Sequence, residues 1–254
     1  MSRALTPREW DAATYDRVSD IQFGWGLEVL ERLALAGDET VLDAGCGSGR
    51  LSVVLEQRLP YGRLIAVDGS PSMVEQARAT LDPATRVEVA DLSDLDLGGK
   101  VDAVFSNAVF HWIGDHDRLF RRLAATLRPG GRLIAQCGGE GNLDGFHETL
   151  DSVAHAPPFD AAFAGWEGPW NFASAEATRE RLLAAGFERV DCRLEPRPVS
   201  PAEPEAFLAT VCLGHHLERL PVDQRALFVE RVASAAAPLE LDYVRLNIDA
   251  RRSA

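Results

Sequence analysis

The chain has 254 residues, 39 acidic against 26 basic, and a formal net charge of −13. A surface that acidic excludes the basic stripe that grips nucleic acid, and it weighs against docking on anionic membranes. The length suits one α/β domain with decorations, and a hydrophobic share of 46% is enough to build its core.

The first residues, MSRALTPREWDAATYDRVSD, hold no apolar h-region, so no signal peptide is expected. Residues 28–35 (EVLERLAL) follow helical spacing, and 39–42 (ETVL) read as a strand entry. Residues 48–59 (SGRLSVVLEQRL) are helical, and 63–67 (RLIAV) form the continuous apolar run of a strand buried on both faces. The spacing predicts a helix over 71–80, with Ser70 as N-cap and Pro71 in the first turn. Strands follow at 86–89 (RVEV) and 101–105 (VDAVF), a helix at 118–127, and a strand at 131–136 after the turn Arg128-Pro-Gly-Gly131. Strands alternating with helices imply a parallel sheet with right-handed crossovers, so residues 39–136 read as one doubly wound core. Beyond Cys137 the regularity lapses. Residues 157–172 (PPFDAAFAGWEGPWNF) read as an irregular aromatic wall. A helix is expected at 175–185, stopped by Gly186, then a strand at 187–194, two helices within 201–236 and a closing strand from 240 to 250. Cys46, Cys137, Cys192 and Cys212 form no C-x-x-C pair and read as reduced, buried thiols, which suits a cytoplasmic location. No run approaches the ~18 apolar residues of a membrane span.

Residues 41–50 (VLDAGCGSGR) join the first strand to its helix through Gly45, Gly47 and Gly49. A Gly-rich turn there receives nucleoside-bearing ligands in doubly wound sheets. The dinucleotide pattern G-x-G-x-x-G is not met, because Arg50 stands at its third glycine, and no lysine serves a phosphate. Asp43 would repel a pyrophosphate, yet it suits a ligand carrying an amine or a sulfonium. S-adenosylmethionine carries both and no phosphate. Asp68 ends the second strand, where it can accept from both ribose hydroxyls, and Asp91 follows the third, where an acid beside a backbone amide can read adenine. Residues 106–112 (SNAVFHW) leave the fourth.

The runs VLDAGCGSG, AVDGSPSMVEQAR, VADL, FSNAVFHW and LRPGGRL closely resemble class I S-adenosylmethionine-dependent methyltransferases over residues 41–136. The flanks WDAATYDRVSD and LDYVRLNI look more loosely like the bacterial small-molecule branch that includes trans-aconitate methyltransferase-like proteins. The resemblance implies a Rossmann-like, mostly parallel seven-stranded sheet with an antiparallel last strand and a small helical cap. It places N-terminal helices as a lid in 1–36, the cofactor core in 37–137, and in 138–254 the rest of the sheet with cap insertions near 140–173 and 198–237. Gly45, Cys46 and Gly47 would approach the methionine part of the cofactor, and Asp43 its amine. Asp68 would clamp the ribose, with Gly69, Ser70 and Met73 along the adenosine. Ala90, Asp91 and Leu92 would flank the adenine, Asn107 and Ala108 the sulfonium, and Tyr15 and Gln22 would close over the whole.

A carboxylate acceptor needs no base at neutral pH, whereas a hydroxyl or carbon acid does. His111, just past the fourth strand, is the candidate base, with a structural imidazole as its alternative. Trp112, Phe163, Trp166, Trp170 and His215 are the candidates for the acceptor pocket. Arg17, Arg197 and Arg245 could serve a polycarboxylate, although nothing in their spacing makes them converge. No metal site is expected. The leading expectation is O-methylation of a small carboxylate or hydroxyl by a monomer or homodimer. Carbon or nitrogen methylation, an NAD-dependent dehydrogenase and a non-catalytic cofactor binder are the alternatives.

Overall fold

The computed structural model describes residues 20–254. Strands β1 (Thr40–Ala44), β2 (Arg63–Asp68), β3 (Arg86–Val89), β4 (Val101–Asn107), β5 (Leu127–Gly138), β6 (Phe187–Pro196) and β7 (Val244–Arg252) form one seven-stranded sheet in the order β3-β2-β1-β4-β5-β7-β6. The first five strands pair in parallel, and β7 runs antiparallel to both β5 and β6. Order reverses between β1 and β4, and the crevice beyond the carboxyl ends of strands at such a switch point is where these sheets bind ligands.

Helices α1 (Asp20–Arg32), α2 (Arg50–Gln57) and α3 (Pro71–Thr80) cover one face, where Val29, Leu30, Leu55, Val74 and Ala77 pack on Val41, Ala66 and Phe105. Helices α4 (His116–Thr126) and α7 (Ala175–Ala184) cover the other, with Leu119, Phe120, Leu123 and Leu182 on Leu42, Val104 and Ile248. The starts of α3 and α7 obey local rules: Ser70 and Ser174 accept from the amides of Met73 and Ala177. Gly186, at φ 89, ends α7.

A third cluster forms the cap. It draws on α5 (Asp144–Ala154), α6 (Asp160–Phe163), α8 (Pro204–Phe207), a π turn at Leu208–Cys212, α9 (Gly214–Arg219) and α10 (Val222–Ala235). Phe159 and Phe163 meet Phe228 at 4.9 and 5.4 Å. Burying each ring contributes about 1.5–3 kcal/mol.

The cap departs from the expected elements in three ways. Helix α5 was not foreseen, because it has no local cap: Leu143 precedes it in a left-handed turn. The start is held instead from 97 residues away, where Asp242 Oδ2 accepts from Gly145 N at 2.8 Å, and Oδ1 accepts from Phe146 N. The two helices expected in 201–236 are four helical pieces, interrupted at Leu213 and at Leu220 and Pro221. The closing strand begins at Val244, not at 240. Leu241 and Tyr243 are drawn into the cap, Leu241 bridging Val199 and Tyr243 meeting the Trp25 ring edge-on at 5.3 Å.

Candidate active site

The loop after β1 is held to the sheet by the amides of Gly45 and Cys46, both donating to Val67 O at 2.8 and 2.9 Å. Gly45 has φ 90, and a Cβ there would lie 2.2 Å from Val109 Cγ2, so a side chain is excluded by both backbone and packing. Gly47, at φ 55, has nothing within 4 Å of its Cβ position. Its open side is where a ligand can reach the backbone.

Asp68, half-buried at the tip of β2, ties this loop to the next helix. Its Oδ2 accepts from Gly47 N at 2.9 Å, and its Oδ1 accepts from Ser70 N at 2.9 Å. Asp43 lies beneath, 2% exposed, with Ser52 Oγ donating to its Oδ2 at 2.7 Å. Burial lifts its carboxyl from 3.8 to about 7; the Ser52 bond opposes the rise, and the Asp68 charge adds to it. Asp91 is exposed at the tip of β3, where Ser93 N donates to it at 2.8 Å, and the preceding Ala90 N donates to Asp68 O. Leu92 and Met73 are buried beside these tips, and Gly69 sits half-buried between Asp68 and Ser70.

At the tip of β4, Asn107 Nδ2 donates to Gln22 O at 3.2 Å, while its Oδ1 is buried without a hydrogen bond. The Gln22 amide, 7% exposed on the first turn of α1, likewise leaves both Oε1 and Nε2 without one. Ala108 takes a left-handed φ of 61, with its amide donating to Gln136 O at 2.7 Å. A non-glycine residue there is a strained choice that turns the chain sharply out of β4 toward the crevice. Tyr15 and Arg17 lie outside the described residues.

His111 follows on a single 3-10 turn, Phe110–Trp112, and is 8% exposed. Gly138 N donates to its Nδ1 at 3.2 Å, which leaves the ring proton of the neutral imidazole on Nε2. Burial pushes its pKa well below the usual histidine value, and Arg245 and His116 push it the same way. His111 is thus a neutral group with a donor on its free edge.

The five pocket candidates separate. Trp112 meets His215 at 5.1 Å and Trp170 at 6.3 Å, beside the His111 ring at 4.8 Å. Phe163 lies in the cap core, 1% exposed, its ring 5.4 Å from those of both Phe228 and His216. Trp166 packs on the same His216 at 4.6 Å and carries Arg219 on its ring. Phe172, the last ring of the aromatic wall read in the sequence, and His147 from the cap complete the layer near His111: His147 stacks on Trp170 at 4.5 Å, and Phe172 meets His111 at 5.9 Å. The arginines separate as well. Arg197 pairs with Glu28 and Glu195 on the surface, whereas Arg245 is 3% exposed, with its guanidinium over the Trp25 ring and its Nε donating to Gln136 Oε1. Among the described residues no cluster of three or more His, Cys, Asp or Glu could hold a metal ion.

Residues 41–131 match a family model described as a methyltransferase domain. The chain is 32% identical to the trans-aconitate 2-methyltransferase of Paracidovorax citrulli, over 97% of this chain and 99% of that protein. It is 35% identical to the one from Methylobacterium nodulans, over 73% and 67%. It belongs to the trans-aconitate methyltransferase family of S-adenosylmethionine-dependent enzymes. Among solved structures, a Mesorhizobium loti S-adenosylmethionine-dependent methyltransferase aligns with TM-score 0.54 and 18% identity, over 89% of this chain and 96% of that one. The Haemonchus contortus phosphoethanolamine N-methyltransferase 2 in complex with S-adenosyl-L-methionine aligns with TM-score 0.61 and 18% identity, over 95% and 56%. These two likenesses show the fold.

This methyltransferase uses S-adenosylmethionine, and its residues fit that cofactor. The loop offers carboxylates and open backbone at Gly47 instead of a lysine, which suits a cationic, phosphate-free nucleoside. The buried orphan amide atoms of Gln22 and Asn107, at the same rim, await polar partners. Among the described residues no helix is long and apolar enough to cross a membrane.

Proposed function

We propose that this methyltransferase esterifies a carboxylate oxygen of a small organic acid. The observation that carries the reading is the state of His111. Its Nδ1 lone pair is occupied by the Gly138 amide, and burial holds the ring neutral. The free edge therefore donates, and a group that donates cannot take the proton of an alcohol or phenol. A carboxylate arrives without that proton, and a donor beside it orients it. The relatives' name, trans-aconitate 2-methyltransferase, supports an acid as acceptor.

S-adenosylmethionine supplies a methyl group already activated on a sulfonium. Asp68 would hold the ribose from the tip of β2, where its two oxygens already accept from Gly47 N and Ser70 N and so fix the carboxylate at the loop. Asp43 would meet the amine, with Gly45, Cys46 and Gly47 along the methionine chain. Ser70 and Met73 would line the adenosine, and Ala90, Asp91 and Leu92 the adenine. Asn107, Ala108 and Gln22 would border the sulfonium. Trp112, Trp170 and His215 would wall the acceptor and exclude water. Orientation of this kind can supply ~7–11 kcal/mol of a barrier.

Incubation with labelled cofactor and a panel of carboxylic acids, phenols and amines tests the reading. Base-labile methyl esters are expected. A product stable to base, whether ether, N-methyl or C-methyl, would overturn it.

A further inference from the structure

At the end of the sheet opposite the reaction crevice, arginines gather round a cavity of about 160 Å³. Arg32 at the end of α1, Arg132 on β5, Arg189 on β6 and Arg251 on β7 line it, with Asp249 as its one acid. Arg251 pairs with Arg132 across β7 and β5, while Arg245, at the other end of β7, pairs with Gly138, whose amide holds His111. At about 3.4 Å per residue, the cavity lies ~20 Å along β7 from the end of β5 that holds His111, so it is no part of the acceptor site.

The charges in this cavity do not balance. Arg132 is neutralised from outside it, by Glu39 at 2.9 Å, and its Nη1 donates to Leu33 O and Ala34 O. Arg32 commits both Nη groups to Asn247 Oδ1, Ala135 O and Ile248 O, and its buried Nε faces Asp249 Oδ2 at 3.8 Å. Asp191, opposite Asp249 on β6, is taken by Arg193 at 2.8 Å. Arg189 and Arg251 are left over. Among the described residues neither forms an ion pair, and Arg251 donates only to Gly130 O, at 3.4 Å. Glu188, opposite Arg251 in the register, bonds neither of them and does not line the cavity. Two positive charges thus face one small space in a chain whose net charge is −13.

The backbone gives a second, independent sign. Among the described residues four non-glycine residues take a left-handed φ, and two of them, Ala34 at 47 and Arg189 at 49, line this cavity. Arg189 does so in the irregularity where β6 steps between Glu188 and Asp191 against β7. A bulge re-aims a side chain, and this one turns Arg189 to the space that Arg251 already lines. A regular strand would avoid both the strain and the like-charge contact, and strain of this kind is held where a site is built.

We propose that Arg189 and Arg251 bind a phosphate group in this cavity. The two lie on adjacent strands, one residue out of register, so their forks converge on one group. A phosphate monoester carries about −1.5 to −2 at pH 7, which matches the excess, and its oxygens accept from two guanidinium planes at once. S-adenosylmethionine carries no phosphate, so the site serves a different ligand.

Calorimetric titration of the whole protein tests this, with S-adenosylhomocysteine saturating the cofactor crevice. Inorganic phosphate, glycerol 3-phosphate and sodium chloride are compared at equal ionic strength. Wild type should bind one phosphate per chain, and chloride should give no saturable heat. Arg189→Gln and Arg251→Gln should each weaken phosphate binding about 10-fold or more. Arg189→Lys should fall between wild type and Arg189→Gln, because it keeps the charge and loses the fork. Asp249→Asn should tighten binding several-fold by removing the one repelling acid, an effect that damage to the fold does not imitate. Tighter binding of glycerol 3-phosphate than of phosphate identifies a monoester as the ligand, and equal or weaker binding identifies the free ion. Retained affinity for S-adenosylhomocysteine certifies each variant's fold; should Arg189→Gln not fold, Arg251→Gln carries the test. No saturable phosphate binding by wild type, or an affinity unchanged in the folded glutamine variants, overturns the assignment. The carboxylate-acceptor reading stands or falls separately, since neither arginine is near the reaction crevice.

Discussion

Replacing Asp43 with asparagine should stabilise the ligand-free protein at alkaline pH and weaken its hold on the cofactor. Burial drives the Asp43 carboxyl from 3.8 to about 7, against the Ser52 bond and with help from Asp68. The folded protein therefore holds this proton more tightly than the unfolded chain does. The penalty for ionising it is absent below pH 3.8, grows as the pH rises, and is complete above about 7. At completion it is about 4 kcal/mol, from the gap between the two values. Denaturant unfolding at pH 5 and pH 8 reads it. Over that interval wild type should lose about 3 kcal/mol more stability than Asp43→Asn, all other titrations being common to both. Cofactor binding should respond in the opposite sense. A cationic amine favours the ionised acid, so wild-type affinity should rise from pH 5 to pH 8, with proton release that calorimetry in two buffers detects. Asp43→Asn should bind more weakly and without that rise. Stability curves that run parallel for the two proteins would refute the argument, since the buried acid would then carry no penalty.

Asp68→Ala should lose cofactor affinity by about 100-fold or more while the circular dichroism spectrum is retained, because two backbone ties and the ribose partner go together; unchanged affinity contradicts the clamp. The pH profile of kcat/KM on the true acceptor should show no ascending limb from His111, whose pKa lies well below the usual 6.5. A limb near neutrality that His111→Gln abolishes would restore the ring as a base. Asp242→Ala should lower stability by about 1 kcal/mol, the cost of an N-cap, with cofactor affinity unchanged in calorimetry. A variant as stable as wild type would mean that the start of α5 is held by something else.

The cofactor half was legible because its instructions are local. The left-handed turns at Gly45 and Gly47, the Ser70 cap and the acids at strand tips each lie within a few residues of the element they define. The continuous apolar runs of β1 and β2 could fit only a sheet covered on both faces. The cap was less legible because its instructions come from afar. Helix α5 takes its cap from Asp242, and Phe163 finds its place only when α10 supplies Phe228. Arg245 was visible as a charge, but its burial against Gln136 and Trp25 follows from the antiparallel pairing of β7 with β5, which no local pattern encodes. The same holds for His111: its place past β4 was readable, while the amide that takes its lone pair comes from the end of β5.

The Asp242 tether has a bearing on how this enzyme could be re-engineered. It joins the first cap segment to the residues that lead directly into the last strand, and Leu143 N bonds Asp242 O beside it. Residues 140–173 are therefore not a detachable cassette. Grafting them alone from a relative would strand the start of α5 against a foreign anchor, so an exchange meant to change acceptor preference has to carry residues 197–243 along with it.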